Sequence, residues 1–467
     1  MTNLFNSKLS VINVGVSDFA EPIISYNAKV INVDWKPPGN DEKVARALSL
    51  LVNSPEVEEA NHKSFQRYLD SQPTLVGVKP ASKVIECMNE KTIMHSGPPI
   101  TWEKMCSPMK GAIIGACIFE EWEKDHKSAE KALESGAINL VPCHHNGAVG
   151  PMAGIISPSM PVWIVDDPIH NSTYFCNLNE GLGKVLRFGA NDSEVINRLH
   201  WMKEILGPAL GKSLEKLEPL KLKPLMAQAL HMGDEVHNRN VAASGLLLKR
   251  FTAAALDADI KSTIISELVD FISNNDHFFL NLSMSACKAM MDAAHGVPGS
   301  SIVTAMARNG TDFGIRVSGL GDNWYKSPAP VINGLFFPGY DSTDANPDLG
   351  DSSITETAGV GAFAMAASPA IVQFVGGSAA DSIKNTKLMS HITHGHNDAF
   401  TIPQMDFSAT PACIDVRKVV DTSIMPIINT GIAHRKAGIG QIGAGITKAP
   451  ADCFSQAVIA LAKTFSE

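Results

Sequence analysis

The sequence of 467 residues lacks a C-x-x-C pair, a long apolar run, an excess of basic charge and a complete nucleotide-binding signature. Each absence removes a class of function. The eight cysteines (Cys87, Cys106, Cys117, Cys143, Cys176, Cys287, Cys413 and Cys453) are scattered singly, which argues against a zinc ribbon or a redox dithiol and predicts reduced thiols. The longest apolar stretches, residues 111–119 and 362–377, are too short or too interrupted by Ser368, Pro369 and Gln373 to span a bilayer. The opening residues carry one Lys and no apolar segment with a cleavage site, so a cytoplasmic location is expected. With 39 basic and 48 acidic residues the net charge is −9, and no electrostatic footprint for nucleic acid or an anionic membrane is present.

Residues 438–443 match G-x-G-x-x-G by letter, yet no strand and no acidic partner follow, so dinucleotide binding is not expected there. Gly15 and Asp34 sit on a genuine βαβ pattern that lacks the fingerprint glycines. No cofactor is expected. Three imidazoles, His391, His394 and His396, crowd one segment without H-E-x-x-H spacing, so a metal site is not expected either, although a metal-dependent amidohydrolase would have to use them.

What is present is an ordinary globular composition, 45% hydrophobic and 19% charged, which excludes a disordered or fibrous chain. The fold class expected is a multidomain mixture of α/β and α+β. Residues 1–85 read as a Rossmann-like βαβ domain, with strands at LSVINV and KVINVDW, a helix opened by Ser17, and TLVGV as a third strand. Residues 86–193 alternate apolar runs with turns, as an α/β or α+β domain does, with a helix near 120–135. Residues 194–295 turn to helical periodicity, with Ile265, Leu268, Val269 and Ile272 on one face. Residues 296–467 form a Gly-rich α+β domain with short strands, among them SSIVTAMAR, FGIRVSG, PAIVQFVGG and MPIINTG, closed by a helix from about residue 451.

Several clusters carry candidate chemistry. In HMGDEVHNRN, Asp234, His237 and Asn238 share one face if the segment is helical, so Asp234 would orient His237 as acid/base and Arg239 would bind an oxyanion. The alternative is a capped helix start. PCHHNGAVGP puts His144 and His145 on a loop after a strand, where ligands sit in α/β sheets. MHSGPPI presents His95 in a turn. MARNGTDFGIR reads as a hairpin about Asn309-Gly310 flanked by Arg308 and Arg316, whose forks suit carboxylate or phosphate. DSSITETAGVG, with Glu356, either binds substrate or caps a helix.

These segments, together with NLNEGLGK and NTGIAHRKAGIGQIGAG, resemble the YlbE/YahG-like family, encoded beside the acyl-CoA-synthetase-like FdrA. The resemblance covers nearly the whole chain. It implies a Rossmann-like N-terminal domain, α+β domains and a small helical domain. It also implies a subunit of the oxamate carbamoyltransferase assembly of anaerobic allantoin and purine breakdown, which converts oxalurate and phosphate into oxamate and carbamoyl phosphate. Its partners would be an FdrA-like subunit and a smaller accessory subunit. For that chemistry the residue types place acid/base work on His237 with Asp234 and carbonyl polarisation on His144 or His145. Substrate binding falls to Arg239, Arg308, Asn309, Arg316, His95 and Glu356. A non-catalytic assembly subunit is the alternative from another class.

Titration of the denatured, unreduced protein should find all eight thiols free. Two or more stable disulfides would overturn that expectation.

Overall fold

The computed structural model describes residues 10–33, 37–89 and 91–465. Asp34 and the first nine residues, on which two of the sequence expectations bear, lie outside the described residues. Alternation around Asn309-Gly310 folds as the hairpin expected, with Val303–Asn309 and Asp312–Val317 antiparallel and Gly310 at φ 78°. A side chain at Gly310 would also collide with Cys106, so the turn needs glycine for space as well as for conformation. Tyr325–Pro328 and Leu349–Gly350 extend this hairpin into a four-stranded sheet.

A second sheet has five strands in the order Ala148–Val149, Ser172–Asn177, Pro161–Asp167, Thr74–Pro80 and Leu220–Lys221. The TLVGV run therefore does not continue the N-terminal βαβ unit. Its side chains Leu75 and Val78 are buried in the core of the second sheet, and it runs antiparallel to Pro161–Asp167. The N-terminal unit is a parallel pair, Ser10–Val14 with Lys29–Val33, joined by short helical turns at Ser17–Ala20 and Glu21–Ser25. Ser17 does not cap them. Its hydroxyl meets its neighbour Asp18 instead.

Two other local expectations shift. The helix expected near 120–135 runs over His126–Glu134, because Asp125 and Ser128 form a reciprocal capping box that sets its start. PAIVQFVGG makes no strand: Pro369 opens a turn at Pro369–Ile371, Val372–Val375 continues it, and Gly376-Gly377 ends it. The closing helix, Ala451–Lys463, packs on Glu42–Leu51 and on the four-stranded sheet, in a core that includes Leu48, Phe313, Phe454 and Leu461.

Residues 193–293 are mostly helical, interrupted by the strand Leu220–Lys221 and by loops, with Leu268 and Ile272 buried on the helix Ser262–Ser273. These helices have no private core. One apolar cluster runs from Tyr68 to Ala433 and merges them with the five-stranded sheet. The helix Leu280–Ala293 lies at its centre, buried on nearly every face, and its polar side chains are therefore hydrogen bonded inside the protein. All eight cysteines are free thiols, six of them buried. Among the described residues no helix is long and apolar enough to cross a membrane.

Distant segments are tied by a buried polar knot. Asp415 receives Ser301 Oγ at 2.8 Å and Arg417 Nη2 at 2.7 Å, while Asn61 Nδ2 donates to Ser301 Oγ at 2.8 Å. Asp415→Asn would leave the Arg417 guanidinium, only 4% exposed, with the half-exposed Glu58 as its remaining carboxylate at 2.7 Å. Urea unfolding should show a loss of roughly 1–3 kcal/mol. A change under about 0.5 kcal/mol would show that the knot is not a stabilising element.

Candidate functional site

The helix Leu222–His231 stops before the Asp-Glu-Val-His segment, because the chain turns at Gly233 (φ 99°) and Val236 (φ 58°). Asp234, His237 and Asn238 therefore do not share a helical face. Glu235 instead folds back over the loop: its carboxylate accepts the backbone N–H groups of His237 (2.7 Å), Asn238 (2.5 Å) and Arg239 (2.9 Å). Asp234 accepts Ala243 N–H at 2.8 Å and so caps the start of the helix Val241–Asp257, with Arg239 Nε 3.6 Å away. Arg239 is itself 40% exposed on its side chain.

The carboxylate that orients His237 is Glu356. Its Oε1 lies 2.8 Å from His237 Nδ1 and also accepts Ala362 N–H (2.9 Å) and Asn429 N–H (3.2 Å), while Thr355 Oγ1 donates to Oε2 at 2.9 Å. So anchored, Glu356 holds the proton on Nδ1 and leaves Nε2 as the nitrogen open to a ligand. Its oxygens accept from His237, Ala362, Asn429 and Thr355, so in this structure Glu356 orients His237.

His237 and Asn238 line a small cavity of about 20 Å³, room for little more than one water molecule, with Pro151, Met152, Arg187, Phe188, His277, Leu280, Ser352, Gly431 and Gln441. Arg187 enters it from the turn Leu186–Phe188. The backbone there is clamped by buried Glu180, which accepts Leu186 N–H at 2.7 Å and Arg187 N–H at 3.2 Å. Beneath it a ladder of buried amides fixes the preceding loop: Asn281 donates to the Asn177 side chain and Asn179 donates to Asn281, at 2.7 and 2.8 Å. Arg187 spends one Nη2 proton on Gly181 O (2.7 Å), but its buried Nε has no acceptor. Asn238 Nδ2 and both amide atoms of Asn429 are also buried and unpartnered. Burial lowers the Arg187 pKa to about 10, opposed by the charge of Glu180. Burial, with the Arg187 charge adding to it, lowers His277 to about 3. The cavity thus presents a retained guanidinium, the neutral imidazole of His277, the Nε2 edge of His237 and the Asn238 amide donor whose bond is unmade. By its chemistry that donor set matches an anion with a carbonyl group, for which the cavity would have to widen.

Sequence reasoning missed Arg187 and His277. Arg187 stands in VLRF, a charge among apolar neighbours directly after the NLNEGLGK turn, and that contrast was the available signal.

The remaining expected residues fall elsewhere. Arg308 is fully buried, and its fork is committed to Asp348 (2.8 and 3.0 Å), Gly350 O (2.8 Å) and Thr430 Oγ1 (3.0 Å). Asn309 accepts Thr311 N–H and Asp312 N–H and donates to Pro98 O, which fixes the hairpin turn. His95 is buried with Nδ1 2.8 Å from Ser96 O, and desolvation lowers it to about 4. His144, His145 and Arg316 gather in a separate group with Trp324: the indole N–H donates to His145 Nε2 at 2.8 Å. Asp351, 3.6 Å from His144, is raised to about 7 by burial although Gly97 N–H and Gly150 N–H donate to it.

Among the described residues no group of three or more His, Cys, Asp or Glu is arranged to hold a metal ion. His394 packs edge-on against Phe65 at 5.5 Å, and His394 and His396 follow one strand, Thr393–Ile402. Gly438 and Gly440 belong to a turn between the antiparallel strands Ile427–Ala433 and Gln441–Lys448, so the G-x-G-x-x-G letters mark a hairpin and not a βαβ unit.

Fold and site together define a mixed α/β protein with several small sheets around a buried polar cavity, oriented by a His–Glu pair and an arginine. The family model described as oxamate carbamoyltransferase subunit AllG matches residues 138–352, which contain every cavity residue except Gly431 and Gln441. The chain is 43% identical over 461 residues to the uncharacterized protein YahG of Escherichia coli K12, with 98% of each chain covered. To the oxamate carbamoyltransferase subunit AllG of the same organism it is 47% identical over 411 residues, covering 87% of this chain and 98% of AllG. The crystal structure of a conserved protein of unknown function from Enterococcus faecalis V583 superposes with a TM-score of 0.86 at 48% identity, covering 87% of this chain and 98% of that one. The chain belongs to the YahG/AllG family.

Burial makes His95 a direct reporter of pH. With a folded pKa of about 4 against roughly 6.5 unfolded, its neutral form stabilises the fold above pH 6.5, and that contribution is lost as pH falls toward 4. Buried Asp351 and Glu235, raised to about 7, act in the opposite sense over the same window, so the informative quantity is a difference between proteins. The stability gap between wild type and His95→Gln should narrow by about 2 kcal/mol between pH 7 and pH 5 in urea unfolding. A gap independent of pH would mean that His95 is not held neutral.

Proposed function

We propose that this chain is a catalytic subunit of a cytoplasmic carbamoyltransferase that phosphorolyses oxalurate to oxamate and carbamoyl phosphate in anaerobic allantoin and purine degradation. It would work together with an FdrA-like subunit and a smaller accessory subunit. The observation that carries this reading is the buried cavity in which Arg187, Asn238 and a Glu356-oriented His237 converge with unspent donors. Membership of a family that includes a protein named as an oxamate carbamoyltransferase subunit supports the same chemistry. The parallel pair at Ser10–Val14 and Lys29–Val33 supports a Rossmann-like character for the N-terminal unit, with divisions near residues 85, 193 and 295 as working domain boundaries.

In the reaction a phosphate oxygen bonds to the carbamoyl carbon, and the bond from that carbon to the oxamate nitrogen breaks. His237 Nε2 takes the proton from the attacking hydrogen phosphate and returns it to the departing amide nitrogen, while Glu356 steadies the imidazolium formed between the two steps. Arg187 binds the substrate carboxylate, and Asn238 donates to the carbonyl oxygen as it gains charge. No step needs redox chemistry, only positioning and exclusion of water.

Because the cavity has room for little more than one water molecule, it must widen to admit the two anions, and on this reading it does so and closes around them only when the partner subunits are present. The assay is carbamoyl phosphate formation from oxalurate and phosphate, with the chain alone and then with its FdrA-like and smaller partners. Activity should appear on mixing, and Arg187→Lys and His237→Ala should each lower kcat/KM at least ~100-fold in the mixture without unfolding the chain. Wild-type kinetics in both variants would leave this chain an assembly subunit, and full activity of the isolated chain would refute the shared site.

A further inference from the structure

A second concentration of basic groups lies behind Trp324, and the chemistry above does not use it. Arg316 on the strand Asp312–Val317 has a side chain only 5% exposed. Its Nη2 donates to His295 Nε2 at 2.8 Å, and His295 Nδ1 is 2.7 Å from Thr304 Oγ1, so His295 is held as the neutral tautomer with its proton on Nδ1. His295 therefore gives Arg316 no counter-charge. Arg316 Nε is buried without an acceptor, and its guanidinium lies 5.9 Å from the centre of the Trp324 ring.

His144 adds a second unmet demand. Its side chain is fully buried, neither ring nitrogen has a hydrogen-bond partner, and the ring meets Trp324 edge-on at 5.5 Å. Lys288, also fully buried, donates to the His144 carbonyl at 3.2 Å and to Asp292 at 2.7 Å. Burial first, and then the charges of Lys288 and Arg316, disfavour protonation of the His144 ring, although the buried Asp351 carboxyl lies 3.6 Å from its Nε2.

The carboxylate that Arg316 does meet comes from outside. Asp322 pairs with Arg316 Nη2 and lies 3.7 Å from His295 Nε2, yet its own side chain is 78% exposed. It stands on the turn between Ser318–Leu320 and Tyr325–Pro328, next to Gly321 at φ 59°. A buried arginine reached by a solvent-borne carboxylate on a glycine-hinged turn has the form of a site filled by a tethered substitute.

We propose that Arg316, backed by His144, His145 and Lys288, forms a second oxyanion-binding site, closed by Asp322 until a phosphate or carboxylate displaces it. The guanidinium fork and the open Nε recognise two oxygens of one anion, and the Trp324 indole, already bonded to His145, screens the site from water. This site does not depend on the cavity chemistry proposed above, and it is separable from that cavity by mutation.

The test is calorimetric titration of the full chain with inorganic phosphate at low ionic strength. Removing the tethered competitor in Asp322→Asn, at an exposed position where folding is not at risk, should tighten phosphate binding at least ~10-fold. The gain should survive in Asp322→Asn/Arg187→Lys, which disables the cavity, and disappear in Asp322→Asn/Arg316→Met. If the Arg316 variant fails to fold, Asp322→Asn/His145→Ala, at a half-buried position, should weaken the gain in its place. Competition by acetate at comparable concentration would assign the site to carboxylates, and its failure to compete would assign it to phosphates. Unchanged affinity in Asp322→Asn, or a gain lost with Arg187→Lys, would overturn the proposal.

Discussion

The fork of Arg308 on Asp348 is the constraint from which both polar centres hang. Two parallel bonds of 2.8 and 3.0 Å join a fully buried guanidinium to a fully buried carboxylate, and the remaining donors reach Gly350 O and Thr430 Oγ1. One side chain on the strand Val303–Asn309 thereby fixes the segment 348–352 and the strand Ile427–Ala433. Ser352 at the end of that segment lines the cavity, and its neighbour Asp351 receives Gly97 N–H and Gly150 N–H, which holds the loops carrying His95 and His144. A lysine could supply the charge but not the planar geometry that addresses three elements at once.

Around this fork, carboxylates are used to shape backbone more than to neutralise charge. Glu235 gathers three consecutive amide groups, Glu180 gathers two, Asp234 starts a helix and Glu356 collects Ala362 and Asn429 before it touches His237. Each would be costly to bury alone, and backbone donors supply the bonds that water would otherwise provide. The consequence for the site is that Glu235 and Glu180 are occupied with backbone amides, so only Glu356 pairs with an imidazole there, and Arg187 keeps an open Nε. A chain of net charge −9 can in this way keep a locally anion-seeking interior.

This arrangement explains what was legible in the sequence. Periodicity and turn chemistry are local, so the 303–317 hairpin, the 262–273 helix and the closing helix from residue 451 could be read directly. Partnership is not local. TLVGV reads equally well as a third parallel strand or as the centre of an antiparallel sheet, and only the burial of Leu75 and Val78 against residues far along the chain decides it. Likewise Asp234 is the acid nearest His237 in sequence, but the partner is Glu356, 119 residues away. The motifs were found because polar residues in apolar text are conspicuous. Which of them face a cavity, as His237 does, and which are consumed by structure, as Arg308 is, depends on contacts that no window of sequence contains.

The same distinction separates the two centres chemically. In the cavity the polar groups are fixed from behind, His237 by Glu356 and Arg187 by Gly181 O, so their free positions are pre-set and a ligand meets donors that need no rearrangement. Behind Trp324 the polar groups are fixed less completely, and the carboxylate that meets Arg316 is carried on an exposed turn. Preorganisation favours chemistry, because donors already aimed at a developing charge cost nothing to align as the reaction proceeds. A displaceable ion pair favours exchange, because the anion that leaves is replaced by one already tethered nearby. On the proposed chemistry, in which two anions are brought together against their mutual repulsion, one surface of each kind is an advantage.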